Sequence, residues 1–379
     1  MTPQLLAYCK AHHDWLLDLI RSLVLIESPT DDKAAVDRCG AALATRLREL
    51  GARITTVSQA TAGDHLVARF GPPDRQVLLI GHFDTVWPIG QLARMPVREE
   101  AGRLHGPGTL DMKAGIGLGL LATRALFELA PPTGVGVTMV WSTDEEIGSD
   151  SSRSLIEEEA RKSEAVLVLE PAMANGAVKT ARKGIADYEL TAHGVSAHAG
   201  VDPRKGVNAI RELAVQILAL DGLRDLDRGI SINVGVVHGG SRTNVVPERA
   251  TASVDVRAAT LADSAYIDGA MLGLTAQTPG ARLDVSGGFN RPPMERSPGV
   301  VRLFEIARAC AAEIGLDLLE GATGGGSDGN FTAALGIPTL DGLGATGDGA
   351  HALHEHVTLA ELPERAAILS GLLFRLTRA

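Results

Sequence analysis

Acidic residues and histidines that could bind metal ions follow several apolar segments of the sequence. Five of them together provide two imidazoles and three carboxylates: His82, Asp111, Glu146, Glu170 and His351. Such a donor set suits two divalent cations. Zinc is the favoured occupant, with tetrahedral coordination or a slightly higher coordination number. If the aspartate bridges, each ion has one imidazole and one terminal glutamate, and a position stays open for water. The sequence therefore predicts a two-metal hydrolytic site.

Two further carboxylates have predicted roles beside these ligands. Asp84 lies two positions after His82, so on an extended chain both side chains point to the same side. The Asp84 carboxylate is expected to accept the second ring N–H of His82 and to fix its orientation. Glu145 and Glu146 are adjacent and need separate roles. One binds metal, while the other acts as general base on the attacking water.

Each of these residues also has an ordinary structural explanation. Asp111 before a helix is a common N-cap, Glu145–Glu146 resembles a solvated acidic pair, and His82 resembles a loop histidine. Their joint occurrence at the ends of successive apolar segments favours the metal site.

Short apolar segments are predicted to be the strands that position this site. Gln76–Ile80, Val135–Trp141 and Ala165–Leu169 each end just before the polar residues, as buried strands do. In open α/β sheets, sites form beyond the carboxyl ends of strands. We therefore predict an α/β fold. Its helices are predicted at Trp15–Ile26, Lys33–Leu50, Met112–Leu129 and Leu362–Leu376.

The pattern changes between Lys179 and Arg291. The predicted order is strand, helix, strand, strand, helix, strand: Ala186–Ala192, Val207–Leu220, Ser231–Val237, Thr251–Val256, Leu261–Ala276 and Ala281–Val285. This β-α-β-β-α-β order is the ferredoxin-like arrangement. At 379 residues the chain is expected to hold two domains. We assign residues 1–180 and 292–379 to a discontinuous catalytic domain and residues 181–291 to an inserted α+β domain.

Composition excludes several classes of partner. A net charge of −10 argues against nucleic acid, which requires clustered lysine and arginine. The three cysteines, Cys9, Cys39 and Cys310, are far apart, so neither a disulfide framework nor a cysteine-rich zinc site is expected. The apolar stretch Trp15–Ile26 contains Asp18 and Arg21, which argues against a membrane anchor or signal peptide. We expect a cytoplasmic protein.

Four motifs together resemble the M20 metallopeptidase family, and the resemblance runs from about Ser28 to the C-terminus. The motifs are Gly81–Val86, Gly106–Gly115, Asp144–Ser149 and Glu170–Pro171. The resemblance implies a zinc-peptidase-like domain with a mixed sheet flanked by helices, and a lid domain that also dimerises. Glutamate carboxypeptidases are the members with the most similar pattern.

The resemblance also implies roles for individual residues. His82, Asp111 and Glu170 would hold one zinc; Asp111, Glu146 and His351 would hold the other, with Glu145 as general base. Cobalt or manganese could substitute. A cis peptide is implied at Asp111–Met112.

Three neighbouring histidines compete for the last ligand position. His351 follows a glycine-rich turn and precedes Glu355, which fits the family pattern best. His354 and His356 are expected to be exposed.

Further motifs resemble the lid domain of the family. His198, within Gly194–Gly200, would reach the partner subunit's active site in a homodimer and stabilise the oxyanion. Asn244 and Arg257 would contact the substrate carboxylate. Arg291 falls where glutamate carboxypeptidases have another substrate-binding arginine. Gly326 matches a glycine loop that contacts substrate through its backbone.

The substrate is the part of the prediction with the most alternatives. We expect an N-acyl amino acid or short peptide with a free α-carboxylate. The residue at its C-terminal side is expected to be similar to glutamate. The family's lysine before the first lid strand has no fixed counterpart among Lys179, Arg182 and Lys183. An acetylornithine-type or succinyl-diaminopimelate-type deacylase is therefore the alternative.

Two other classes of protein are alternatives to a metallopeptidase. Gly325–Gly329 satisfies G-x-S-x-G, the pattern of a serine hydrolase, with Asp341 or Asp348 and His351 as partners. That assignment leaves the other acidic and histidine positions unexplained. A non-catalytic binding protein on the same fold would have lost Glu145 or a ligand, and none is missing.

Overall fold

The computed structural model of the chain describes residues 1–72 and 75–378. It divides into two units. The first comprises Met1–Ala181, Arg296–Ala322 and Ser327–Ala379, and the second comprises Arg182–Glu295 and Thr323–Gly326. No helix within the described ranges has the length and apolar character that a membrane crossing requires.

Helices and strands alternate along most of the chain. The helices are α1 (Thr2–Ala11), α2 (His13–Val24), α3 (Lys33–Glu49), α4 (Ala114–Leu129), α5 (Arg153–Arg161), α6 (Ala209–Asp221), α7 (Leu261–Leu272), α8 (Pro298–Ala312), α9 (Gly329–Ala334) and α10 (Leu362–Leu376). The strands are β1 (Arg53–Val57), β2 (His65–Phe70), β3 (Gln76–His82), β4 (Arg98–Glu100), β5 (Arg103–His105), β6 (Gly136–Ser142), β7 (Ser163–Val168), β8 (Val178–Arg182), β9 (Gly184–His193), β10 (Ser231–Gly239), β11 (Arg249–Ala258), β12 (Arg282–Arg291), β13 (Glu320–Thr323), β14 (Thr339–Leu340), β15 (Gly347–Asp348) and β16 (His356–Thr358).

A mixed sheet with the order β1-β2-β6-β3-β7-β14 forms the centre of the first unit. β3 pairs in parallel with β6 and with β7, so that His82 lies opposite Ser142 and Ile80 lies opposite Val168. β2 is antiparallel to β6. The register places the carboxyl ends of β3, β6 and β7 at one edge of the sheet. The predicted α/β fold with a mixed central sheet is confirmed.

Glycines allow the helices to pack closely on this sheet. An added Cβ at Gly115 of α4 would lie 2.1 Å from the carbonyl oxygen of Leu169, and one at Gly117 would lie 2.8 Å from Ile20. The first contact, with a backbone oxygen, leaves no room for a side chain at Gly115, and the second lets α4 pack closely against α2. α3 begins after Asp32, whose side chain accepts from the amide of Ala35, as an N-cap does.

The second unit has the order of elements that its sequence predicted. Its antiparallel sheet is ordered β10-β11-β9-β12, with α6 and α7 between the strands in the chain. Alternate residues of β9 are buried, and they join a core with Leu213 of α6 and Ile267 of α7. The period-two pattern thus gives this sheet one face covered by helices.

Several features differ from the sequence prediction. The segment Thr323–Gly326 belongs to the second unit, because Arg182 donates to the carbonyl oxygens of Gly325 and Gly326 at 3.1 and 2.9 Å. α4 begins at Ala114 rather than at Met112, since Asp111 and Met112 have non-helical backbone angles and are joined by a cis peptide. A small sheet, β15-β16-β5-β4, was not predicted.

Candidate metal centre

The edge formed by β3, β6 and β7 carries four of the predicted site residues. His82 is the last residue of β3, Glu145 and Glu146 lie in a short 3-10 helix after β6, and Glu170 follows β7. In a parallel sheet, residues that follow neighbouring strands meet at the same edge.

Two predicted ligands come from less regular backbone in the same unit. Asp111 lies in the distorted turn Thr109–Lys113 before α4. His351 lies in the turn between β15 and β16 and has φ +60°, a left-handed conformation that few non-glycine residues adopt. Such conformations cluster at functional sites.

Asp111 lies between the two histidines, with one oxygen directed to each. Nε2 of His82 is 3.2 Å from Oδ1 of Asp111, and Nε2 of His351 is 3.4 Å from Oδ2. Each imidazole also faces its own glutamate. Nε2 of His82 is 3.4 Å from Oε1 of Glu170, and Nε2 of His351 is 3.2 Å from Oε2 of Glu146.

The spacing of these atoms suits two tetrahedral ions. Two ligand atoms at zinc bond lengths lie about 3.3–3.4 Å apart at a tetrahedral angle, and the four nitrogen–oxygen separations are 3.2–3.4 Å. In addition, Oε1 of Glu146 is buried and has no hydrogen-bond partner within residues 1–72 and 75–378. The donor set and its spacing therefore fit a pair of divalent cations.

The electrostatics of the cluster also favour bound positive charge. Burial alone lowers the pKa of His82, but the carboxylates of Asp111, Asp84 and Glu170 raise it well above its usual value. Hydrogen bonds to Asp111 and Glu146 raise the pKa of His351 to about 10. A negative field that holds protons on two imidazoles also attracts divalent cations.

Glu145 faces a different part of the cluster from Glu146. One oxygen of Glu145 belongs to a group with His82 and Glu170 in which all ligand atoms lie within 4.8 Å of one another. Glu146 belongs to a group with His82 and Asp111. Both groups include His82, but Oε2 of Glu146 also lies 3.2 Å from Nε2 of His351.

Asp84 holds His82 mainly through its backbone, which the sequence did not predict. Nδ1 of His82 donates to the carbonyl oxygen of Asp84 at 3.1 Å, and the carboxylate Oδ1 lies 3.3 Å away. This leaves Nε2 directed at the cluster. The other oxygen of Asp84 accepts from Thr30 at 2.9 Å and from the amide of Glu146 at 3.3 Å.

The histidines near the last ligand differ in their surroundings. His354 is exposed, as expected, but His356 is only 7% exposed, so the prediction of an exposed His356 is wrong. It lies in β16, opposite His105 of β5, and its ring is 5.1 Å from the ring of that residue. The pairing of β16 with β5 buries it.

His198 and Asn244 lie together in the second unit. The amide of Ala199 donates to the carbonyl of Asn244 at 2.9 Å, and His198 forms a bridge with Val245. Nδ1 of His198 accepts from the amides of Gly200 and Val201, both at 3.1 Å. A neutral imidazole that accepts at Nδ1 carries its proton on Nε2. His198 is therefore an exposed hydrogen-bond donor.

Arg257, Arg291 and Gly326 form a second group at the other end of this sheet. Arg257 and Arg291 both lie in register with Ile185 of β9, on the strands at either side, so their side chains share a face. An added Cβ at Gly326 would lie 2.8 Å from the Arg291 side chain. Arg257 donates to Asp255 at 2.6–3.1 Å.

The two groups are far apart within the unit. β11 has ten residues, so its ends lie about 30 Å from each other. Asn244 precedes the first end, whereas Arg257 is near the last. The structure thus does not bring Asn244 and Arg257 together within one unit.

Ser327 does not have the surroundings of a nucleophile. It is fully buried and donates to Asp341, while its own oxygen accepts from the amide of Gly329. A nucleophile elbow exposes its serine after a strand. The G-x-S-x-G match is a structural loop.

A mixed α/β sheet with imidazoles and carboxylates gathered at one edge defines a candidate two-metal hydrolase. The profile of peptidase family M20/M25/M40 matches residues 78–375, and the chain belongs to this family of metallopeptidases. It is 32% identical over 372 residues to carboxypeptidase G2 of Pseudomonas sp. (strain RS-16), which covers 95% of this chain and 89% of that relative. The chain is an enzyme, a hydrolase of this family.

Two further comparisons show the range of relatives. Succinyl-diaminopimelate desuccinylase of Paracidovorax citrulli (strain AAC00-1) is 27% identical over 310 residues, 77% of this chain and 78% of that relative. The crystal structure of aminopeptidase PepT from Bacillus cereus ATCC 10987 is 24% identical, with a TM-score of 0.79 over 96% of this chain and 98% of that chain. This structural similarity shows that the two proteins share a fold.

Proposed function

We propose that the chain is a di-zinc hydrolase that cleaves the amide bond of N-acyl amino acids or short peptides with a free C-terminal carboxylate. The observation that carries the proposal is the position of Asp111 between His82 and His351, each of which faces its own glutamate. His82, Asp111 and Glu170 hold one ion. Asp111, Glu146 and His351 hold the other.

Glu145 is the proposed general base. The two ions, when bound, supply a Lewis acid and lower the pKa of a water molecule. Glu145 accepts the proton of the water that attacks the carbonyl carbon. It then delivers the proton to the amine nitrogen as the C–N bond breaks. Asp84 orients His82 through the hydrogen bond at Nδ1.

His198 is the proposed oxyanion donor, and it acts from a second copy of the chain. Support comes from its exposed Nε2–H group. The hydrogen bonds that two backbone amides donate to Nδ1 imply that the proton is on Nε2. Support also comes from the length of β11. One end of its sheet carries His198 and Asn244, and the opposite end carries Arg257 and Arg291. Both pairs could contact one small substrate if one pair came from a partner subunit in a homodimer.

The proposed leaving amino acid is glutamate or a similar residue. Arg257 and Arg291 share one face of the sheet, and two guanidinium groups suit two carboxylates. Gly326 lies close against Arg291 because it has no side chain, and we propose that its backbone contacts the substrate. The 32% identity to carboxypeptidase G2 is consistent with this choice.

A deacylase of the acetylornithine or succinyl-diaminopimelate type is the second candidate. The similarity to succinyl-diaminopimelate desuccinylase supports it. We further propose a cytoplasmic location, since Cys9, Cys39 and Cys310 are all buried free thiols, as is usual in reducing compartments.

Two measurements test the proposal. Metal analysis of the purified protein is expected to give two zinc ions per chain, and chelation is expected to abolish activity that cobalt or manganese restores. kcat/KM is then compared on N-acyl-glutamate, N-acetyl-ornithine and N-succinyl-diaminopimelate, with N-acyl-glutamate expected to be preferred. Negligible activity on it, with turnover of another substrate, would move the assignment to the second candidate.

A further inference from the structure

Glu355 is a buried carboxylate that the proposed reaction does not use. Its exposed fraction is 1%, and it lies four positions after His351, at the end of the same turn. A buried carboxylate is costly unless its oxygens are hydrogen-bonded. Its partners therefore indicate why it is there.

Four N–H groups donate to this carboxylate. Oε2 accepts from the indole Nε1 of Trp87 and from the amide of Gly108, both at 2.9 Å. Oε1 accepts from the amides of Leu110 and Asp111 at 2.8 and 3.1 Å. An ionised carboxylate has lone pairs for all four donors, and such charge-assisted hydrogen bonds are strong.

These donors come from the segments that carry the predicted ligands. Trp87 follows His82 in the loop after β3, and Gly108 and Leu110 lie three and one positions before Asp111. The carboxylate itself belongs to the turn of His351. One side chain therefore joins the loops of both histidines to the backbone of the aspartate between them.

We propose that Glu355 is a positioning residue that fixes Asp111 between His82 and His351, and so sets the affinity of both metal positions together. This inference rests on the proposed two-metal function. Because Asp111 contributes one oxygen to each metal position, a shift of its backbone lowers the metal affinity of both positions. Loss of Glu170 or of Glu146, by contrast, would lower the affinity of only one metal position.

The test measures metal affinity by competition with a chromophoric chelator, together with the absorption spectrum of the cobalt-loaded protein. Glu355→Gln keeps the volume but places an NH₂ donor against N–H donors. We expect the Kd of both ions to rise together by about 10–100-fold, as when partners of metal ligands are removed, and the cobalt bands to shift. Trp87→Phe removes one donor and is expected to cause a smaller rise.

Glu159→Gln is the matched control. Glu159 is a buried carboxylate of the same unit that accepts from Arg69 and Gln76, away from the ligands. The Glu159→Gln substitution is expected to lower the Tm of the protein and to leave the Kd values of both metal ions unchanged. Wild-type affinity and spectrum in folded Glu355→Gln would overturn the inference, as would an equal rise in Kd in Glu159→Gln.

Two further outcomes separate the inference from the function on which it rests. If Glu355→Gln does not fold, Trp87→Phe decides the matter, and unchanged affinity in that variant overturns the inference. Fewer than two ions on the wild-type protein would overturn the proposed function itself.

Discussion

Nε2 of His351 lies 3.4 Å from Oδ2 of Asp111, although the two residues come from distant parts of the sequence. Of the neighbouring histidines His351, His354 and His356, it is His351 that lies beside Asp111. The contact places a half-exposed imidazole, with 52% of its side chain accessible, beside a carboxylate that also faces His82.

Substitution of His351 is expected to remove one of two metal ions. His351→Ala deletes the imidazole that faces Asp111 and Glu146, so metal analysis should give about one ion per chain, with kcat/KM at least about 100-fold lower. His354→Ala is the matched control, since that side chain is exposed in the same turn. Equal metal loss in both variants would contradict the assignment.

The adjacent glutamates are expected to differ in what their loss removes. Glu145→Gln should lower kcat by about 10²–10⁴-fold, the usual contribution of a general base, with both ions retained. Glu146→Gln should lose an ion, because Glu146 faces His351. Steady-state kinetics and metal analysis are made on the same preparations. A Glu145→Gln protein with wild-type kcat would exclude the general-base role.

Metal affinity is expected to fall as the pH falls. In the metal-free protein, hydrogen bonds to Asp111 and Glu146 raise the pKa of His351 to about 10. The imidazole is thus protonated at neutral pH and must lose its proton when an ion binds. Calorimetry in buffers of different ionisation enthalpy should detect proton release at pH 7, with a higher Kd at pH 6 than at pH 8. Binding without proton release would contradict the prediction.

The ion pair of Glu159 with Arg69 is expected to stabilise the first unit in a pH-dependent way. Burial raises the pKa of Glu159, but hydrogen bonds from Arg69, Lys162 and Gln76 lower it overall from 4.5 to about 2. A lowered pKa contributes stability above the unfolded value, and this stability is lost as the pH falls from about 4.5 towards 2.

Glu159→Gln tests this contribution. Because Arg69 is one-third exposed, we expect a loss of only about 1–3 kcal/mol in the free energy of unfolding at pH 7. Urea denaturation should show a smaller difference between variant and wild type at pH 3. An equal difference at both pH values would show that the charge of Glu159 is not what stabilises the fold.

The sequence alone predicted about half of the helices and strands that the structure describes, since their period of apolar residues depends only on near neighbours. α10 spans Leu362–Leu376 as its amphipathic pattern predicted. The strands β3, β6 and β7 end where polar residues begin, and the strand–helix order of the second unit follows from its alternation. The candidate ligands could be named because imidazole and carboxylate side chains at strand ends are a chemical signal in themselves.

Only the tertiary structure decided which residues meet and what supports them. The partners of Glu355 include three backbone amides, and every residue except proline has such an amide, so no sequence pattern marks them. Likewise, pairing with β5 buries His356, and the length of β11 separates Asn244 from Arg257. These relationships depend on which distant segments fold against one another, and local residue patterns do not contain that information.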